Sequence, residues 1–273
     1  MSTITPRQPQ FDLGDDLPTW WFDRDIIKTL VMTAQSCTFP EGERYFIRSV
    51  RHFQDKVKNP VLKKAIRGFI GQEAHHGNAH EDLNVLMARR GLPTRKIEKF
   101  AKNGLAFRDR TMSPERRLAM TCALEHFTAM LAELVLTDPE FLEGMEPRVK
   151  ALWVWHAIEE SEHKAVAFDV YQETVGDYWI RSSQMVATSM EFIFFSLLHF
   201  STLYRSLEEK PGLWDTVKGI GYFLGPTSKT AKLLPRYLSY FRPGFHPDEV
   251  DGAKERAAAL QWVSEQLDVP LTA

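Results

Sequence analysis

The sequence predicts an all-α protein, a four-helix bundle with an additional C-terminal helical layer. Three observations predict it. No stretch alternates convincingly as a strand does, and the chain reads as helical nearly throughout. Helix ends are marked by capping residues, by prolines in the first turn and by Gly/Pro stops. The pattern Glu-x-x-His occurs twice, at Glu73/His76 and Glu160/His163, and each copy follows a helix with a lone glutamate, Glu43 or Glu125. At about 100° per residue, three positions put a carboxylate and an imidazole on one helix face, where both can reach one metal. One glutamate from each of two further helices completes the donor set of a di-metal site inside such a bundle. Glu43 precedes Glu73 by 30 residues and Glu125 precedes Glu160 by 35, which makes a weak internal repeat of function rather than of sequence.

The elements follow in order. Residues 1–24 form a leader, loose or draped, and Met1 to Asp16 contain no apolar signal core. Asp25 to Thr38 reads as a short amphipathic helix, and Pro40 opens the helix that carries Glu43. Asn59-Pro60 starts a long helix that Gly91-Leu92-Pro93 ends. Ser113-Pro114 starts the next, and Asp138-Pro139 closes it. A further helix runs from about Pro147 to Tyr171, with Gly176 beyond. Residues 25–176 are thus the bundle. From 177 to 273 aromatic helical segments alternate with Gly and Pro, as expected of a layer packed on it. Met185 to Tyr204 is long enough to cross a membrane, but Glu191 and His199 interrupt it, so a buried helix is expected. Trp20-Trp21-Phe22 and Phe192 to Phe195 read as core, pocket or dimer face, with core as the first reading.

With 273 residues and 44% hydrophobic content the chain can bury a sizeable core. A formal net charge of −2 gives no reason to expect nucleic acid or an anionic membrane as partner. Cys37 and Cys122 are far apart and form no metal-type pair, so a reducing, cytoplasmic setting is expected.

Glu43 shares a face with Phe46, Ile47 and Val50, where an unpaired carboxylate costs several kcal/mol. Taking Glu73 as zero, His76 falls at about −60° and His80 at about −20°, while His75 is on the far side. His80 is a further ligand, a proton shuttle or a donor to a ligand. Glu125 is flanked by Thr121 and Thr128, a small polar face with room for a small oxidant or a solvent molecule. With His156 at zero, Glu160 is at about 40°, His163 at about −20° and Glu159 at about −60°, so Glu160 is the better bridging carboxylate and Glu159 the reserve. Four glutamates neutralise two divalent ions. Mixed carboxylate and imidazole donors suit iron first and manganese second. In Tyr240 to Pro247, His246 sits either in a plain connecting loop or, with Arg242, near the site entrance.

The order Glu, Glu-x-x-His, Glu, Glu-x-x-His resembles the ferritin-like di-iron carboxylate proteins. Phe39-Pro40-Glu41-Gly42-Glu43-Arg44, Gln72 to His76 with His80, Leu124 to Thr128, Trp155-His156 with Glu159, Glu160, Glu162 and His163, Val166 to Asp169, and Phe245-His246-Pro247 resemble a bacterial family of predicted metal-dependent hydrolases, over about residues 18 to 250. His156-x-x-x-Glu160-x-x-His163 is similar to the arylamine N-oxygenase branch of di-iron proteins, and that resemblance implies His156 as a seventh ligand.

The function expected from these residues is a di-iron oxidoreductase that activates dioxygen to oxidise a small apolar organic substrate, with electrons from a separate donor. The alternatives are a two-metal hydrolase and a non-catalytic iron-binding protein. Thr128, His80 and His246 are the candidates for catalytic roles beside the ligands Glu43, Glu73, His76, Glu125, His156, Glu160 and His163. A homodimer is one candidate assembly, which the sequence leaves open, and neither nucleic acid nor a membrane is expected as partner.

Overall fold

A computed structural model describes residues 4–271, and among them the architecture is all-α, with no strand beyond an isolated bridge between Phe22 and Met145. The helices are α1 (Ile26–Ser36), α2 (Phe39–Phe53), α3 (Pro60–Arg89), α4 (Thr94–Thr111), α5 (Pro114–Thr137), α6 (Pro147–His163), α7 (Val166–Thr174), α8 (Tyr178–Ser206), α9 (Leu213–Leu224), α10 (Leu234–Ser239) and α11 (Ala253–Leu267).

Local chemistry sets the boundaries. The Asp25 side chain accepts from the Lys28 N–H at the start of α1, Asn59 accepts from Val61 on α3, Ser113 accepts from Arg116 on α5, and Glu146 accepts from Arg148 and Val149 on α6. The last three of these helices have proline in the first turn, where no N–H bond is lost. Gly91, at φ +90°, ends α3, and the following Leu92 N–H reaches back to Met87 O.

Two helix readings needed revision. Pro147 to Tyr171 is not continuous: α6 ends at His163, a turn at Lys164 and Ala165 follows, and α7 resumes the column. Between Pro93 and Ser113, where no element was expected, lies α4, whose few apolar residues are spread among charges.

Helix α2 packs on α3, α3 on α6, α6 on α5, and α5 back on α2, so the four helices with candidate ligands close a ring. The apolar core falls into two clusters along this ring. One holds Leu83, Leu86 and Met87 of α3 with Leu134 of α5 and Leu152 to Ile158 of α6. The other holds Phe46 and Val50 of α2, Ile66 and Phe69 of α3, Leu118 of α5 and Val170 of α7. Glu73, His76, His80 and Glu125 lie in the sequence between these clusters on their helices, in a polar layer sealed by apolar ends.

The described part of the leader, residues 4–24, is draped rather than loose. A β-carbon on Gly68 would come within 2.6 Å of the Ile4 carbonyl, and one on Gly71 within 2.5 Å of Pro6, so both glycines permit the crossing. Phe11 packs on Trp155, with ring centroids 5.4 Å apart. Trp21 and Phe22 are buried, as expected.

Helix α8 corrects the expectation for Met185 to Tyr204. Its inward side is Gln184, Met185, Thr188, His199 and Leu203, whereas Met190, Ile193 and Phe194 are 60–69% exposed. Phe192 and Phe194 are therefore surface residues, not core. The polar residues that had argued for a buried helix do face the protein, and the apolar ones face away.

Candidate metal centre

Glu43 comes from α2, Glu73, His76 and His80 from α3, Glu125 and Thr128 from α5, and His156, Glu159, Glu160 and His163 from α6. All except Thr128, which is half-buried, are buried. Two groups form within this set. Ligand atoms of Glu43, His76, His156 and Glu160 lie within 4.8 Å of one another, and so do those of Glu73, His76, Glu160 and His163. His76 and Glu160 are common to both. Glu160 Oε1 is 2.9 Å from His156 Nε2, 3.6 Å from His76 Nδ1 and 3.7 Å from His163 Nε2. Glu125 stands just outside, with Oε2 3.2 Å from His163 Nδ1, and the other nitrogen of that ring is 3.2 Å from Glu73 Oε1.

The unsatisfied atoms test whether these residues fit a metal. Both carboxylate oxygens of Glu43 and of Glu73, one of Glu125, Nδ1 of His76 and Nε2 of His163 are buried without a hydrogen-bond partner among the described residues. Buried polar atoms rarely stay unpaired, because each costs about 1–3 kcal/mol. Their convergence on one spot is the donor pattern of a cation site, with oxygen and imidazole nitrogen and no thiolate. The residues fit.

A surrounding layer orients the imidazoles. His76 Nε2 donates to Glu159 Oε2 at 3.1 Å, which leaves Nδ1 directed at the centre. Glu159 is in turn held by the Arg7 side chain at 3.1 Å and by the Arg7 backbone N–H. Arg7 also forks onto Glu162, which accepts from Gln72 as well. Behind His156 runs a second chain. Asn84 Nδ2 donates to Glu98 and to the Ser36 carbonyl, so its Oδ1 accepts from the Ser36 hydroxyl. Ser36 Oγ then accepts from His80 Nδ1 at 2.9 Å. His80 Nε2, left as an acceptor, accepts from His156 Nδ1–H at 2.8 Å. The chain holds His156 in the tautomer that presents Nε2 to Glu160 and Glu43. His80 is thus the hydrogen-bond acceptor that orients His156, and it belongs to neither ligand group. Thr128 donates to Glu160 Oε2.

Three expected neighbours lie elsewhere. The structure does not bring His246 to the carboxylates. The loop does fold back, since Arg181 donates to the Tyr240 and Arg242 carbonyls and Phe245 packs on Phe168. His246, however, bonds Asp169 at 2.8 Å and caps the turn Pro247–Glu249. Arg242 pairs with Glu249. Thr121 bonds Ser49 rather than the site. Sequence reasoning missed Arg7, Ser36 and Asn84. Asn84 continues the stripe Glu73, His76, His80 by one more turn, a signal that was available. Arg7 has no such signal, because its partners are 152 and 155 residues away.

A cavity of about 190 Å³ opens between α2, α4, α5 and α8 and reaches Glu43 and Thr128. Phe39, Phe46, Leu124, Phe127 and Phe195 dominate its wall, with Gln35, Ser196 and His199 as polar positions. A smaller void of about 20 Å³ lies beside His156, Glu160 and Thr128, room for one water molecule.

Burial raises the carboxyls of the metal-free site. Glu43 stands well above the usual range through desolvation and its neighbours Glu160 and Glu125, Glu125 is pushed up to about 7 by desolvation and Glu160, and Glu159 to about 8 by desolvation that Arg7 only partly offsets. For His163 desolvation opposes protonation, but Glu160 and Glu125 outweigh it and lift it to about 9. A group whose folded pKa is raised loses its stabilising contribution as pH rises through that value. Chelator-treated protein is therefore expected to melt at falling temperature as pH rises from about 5, just above the ordinary carboxyl range, to about 9, where the last of these groups loses its proton. The metal-loaded protein is expected to change little, because the ions replace those protons. Equal slopes in thermal melts of the two forms would contradict this electrostatic account.

Residues 5–251 match the model of a family described as predicted metal-dependent hydrolase. The chain belongs to that family. No curated protein and no solved structure matches it. The predicted metal-dependent hydrolase match begins at residue 5, so it takes in Arg7 and the draped leader as well as the four ligand-bearing helices. Its metal dependence agrees with the two buried His/Glu groups.

Proposed function

We propose that this protein is a two-metal-dependent hydrolase of small apolar substrates, with an ester or a similar acyl bond as the reacting group. The observation that carries the reading is the apolar cavity that ends on Glu43 and Thr128, beside two overlapping His/Glu groups. In this reading Glu43, His76, His156 and Glu160 would hold one ion, and Glu73, Glu125 and His163 would hold the other, with Glu160 in reach of both groups. Iron is the preferred metal and manganese the second. Ions there supply Lewis-acid chemistry, polarising a substrate oxygen and acidifying water.

The rest is the work of the protein. Glu159 and His80 fix the imidazole tautomers of His76 and His156. Thr128 holds one Glu160 oxygen through its hydroxyl and stands where the cavity meets the void beside His156. The aromatic wall excludes bulk water and aligns the apolar part of the substrate. His199 is buried, without a hydrogen-bond partner among the described residues, and burial lowers its pKa to about 4. It stays neutral and can donate to, or accept from, a polar group of the substrate.

The donor chemistry favours a second reading. Carboxylates and imidazoles without thiolate also suit an iron centre that oxidises an apolar substrate with dioxygen, fed by a separate electron donor. One experiment separates the two. Iron- or manganese-loaded protein is given nitrophenyl esters of increasing chain length, and reduced iron-loaded protein is followed for oxygen uptake. Hydrolysis that strengthens with chain length and disappears on chelation supports the first reading. Substrate-dependent oxygen uptake without hydrolysis overturns it in favour of the second.

A further inference from the structure

We propose that the face formed by α4 and α8 docks on an anionic lipid bilayer, and that apolar substrate passes from the bilayer into the cavity. The outward side of α8 carries Val186, Met190, Ile193, Phe194, Leu197 and Leu198, each 38–69% exposed. From Val186 to Leu198 this strip runs about 18 Å at 1.5 Å per residue. Glu191 is the sole charged residue between Arg181 and Arg205, and it is paired with Arg108 at 2.7 Å. Soluble proteins seldom leave so continuous an apolar surface in water. The inward side, with Gln184, Thr188 and His199, needs the protein behind it, so the helix is built to lie on a bilayer rather than cross it.

Helix α4 packs beside α8 and supplies the charge. It has six basic residues against two acidic ones. Phe100 and Phe107, one above the other at a spacing of seven, are 45% and 55% exposed. Lys96, Lys99 and Arg110 flank that aromatic strip within about 100° on one side, are exposed, and take no part in an ion pair among the described residues. An apolar centre with a basic edge is the surface that an anionic headgroup layer over acyl chains complements, and each such cation is worth about 1 kcal/mol at the lipid surface, or roughly fivefold in affinity. A second copy of this chain would bring the same cations against each other.

The cavity links the surface to the site. Phe100 and Phe192 line it and are also exposed, so it reaches the outside at the α4–α8 seam, on the docking face itself. A water-insoluble substrate dissolved in the bilayer then needs no passage through water. The expectation that a membrane is no partner rested on the net charge of −2 and on a buried α8, but basic residues gather on α4 and α8 is not buried on this side.

The test is co-sedimentation of the full, metal-loaded chain with phosphatidylcholine vesicles, with and without phosphatidylglycerol. It needs no turnover, so its outcome is separate from the question of hydrolysis or oxidation. Binding is expected to the phosphatidylglycerol vesicles and to weaken with salt. It should fall at least about tenfold in Lys96→Glu/Lys99→Glu, which reverses two charges, and be lost in Ile193→Asp/Phe194→Asp. Circular dichroism melts establish that each variant folds, and the lysine variant, wholly on the surface, keeps the test decisive if the α8 variant does not. Absence of binding by the unmodified protein overturns the proposal, as does binding that ignores both lipid charge and the lysine substitutions. A dimer in sedimentation that Ile193→Asp dissociates, with no vesicle binding, assigns the face to a second copy instead.

Discussion

Glu160→Ala is expected to leave the purified protein nearly free of bound metal. Its carboxylate belongs to both groups of donors, and its Oε1 faces three imidazoles within 3.7 Å. Without it, His76, His156 and His163 lose the anion they share, and His76 is the one donor left in common to the groups of Glu43 and Glu73. Glu159→Ala is the control. Glu159 touches Nε2 of His76 and not the centre, so its loss should keep both metal equivalents and weaken affinity by about 10- to 100-fold, as for other groups that orient a ligand. Elemental analysis of the two variants after identical dialysis reads the difference. If Glu159→Ala loses the metal and Glu160→Ala retains it, the assignment of roles on α6 is reversed.

Arg7→Ala is expected to produce the largest loss of stability among single changes outside the ligands. The guanidinium is almost fully buried and pairs with Glu159 at 3.1 Å and Glu162 at 2.7 Å, both of them on α6. Removing one partner of a buried ion pair typically costs about 3–5 kcal/mol, because the remaining charge is left without solvent. Glu159 limits the loss: desolvation already raises its pKa to about 8, so it can take up a proton when Arg7 is gone. A cost near the lower end, about 3 kcal/mol, corresponds to a fall in melting temperature on the order of 10 °C. Arg7→Lys should recover part of it, since an ammonium can meet one carboxylate but lacks the fork that holds two. A melt within about 2 °C of the unmodified protein for Arg7→Ala would mean that the leader merely rests on α6. The same substitution should loosen His76 through Glu159 and slow metal uptake, which a purely structural contact would not do.

The all-α class was legible because helix starts and stops are local chemistry, written as Asn59-Pro60, Ser113-Pro114 and Gly91. The convergence of Glu43, Glu73, His76, Glu160 and His163 was legible because helix-face spacing is a property of sequence alone. The proposed preference for Glu160 over Glu159 came from the same arithmetic, and Glu159 lies one step round the helix, facing Arg7. What could not be read were relations between distant segments. The Arg7 contact depends on how the leader crosses Gly68 and Gly71. The break after His163 carries neither glycine nor proline. The sidedness of α8 was misread because Glu191 and His199 were taken as marks of burial for the whole helix. They mark only the inner face, whereas Met190, Ile193 and Phe194 point outward. His246 was drawn toward the site by its place in a folded-back loop, whereas Asp169 on α7 was the nearer partner.

The two overlapping groups that share His76 and Glu160 form the proposed dinuclear centre. The most direct test is the metal content of the protein purified without added chelator and, after chelation, its titration with ferrous or manganous ion. The account predicts saturation at two ions per chain, with the second lost selectively in Glu73→Ala. Saturation at a single ion that Glu73→Ala leaves in place, or no retained metal at all, would contradict it.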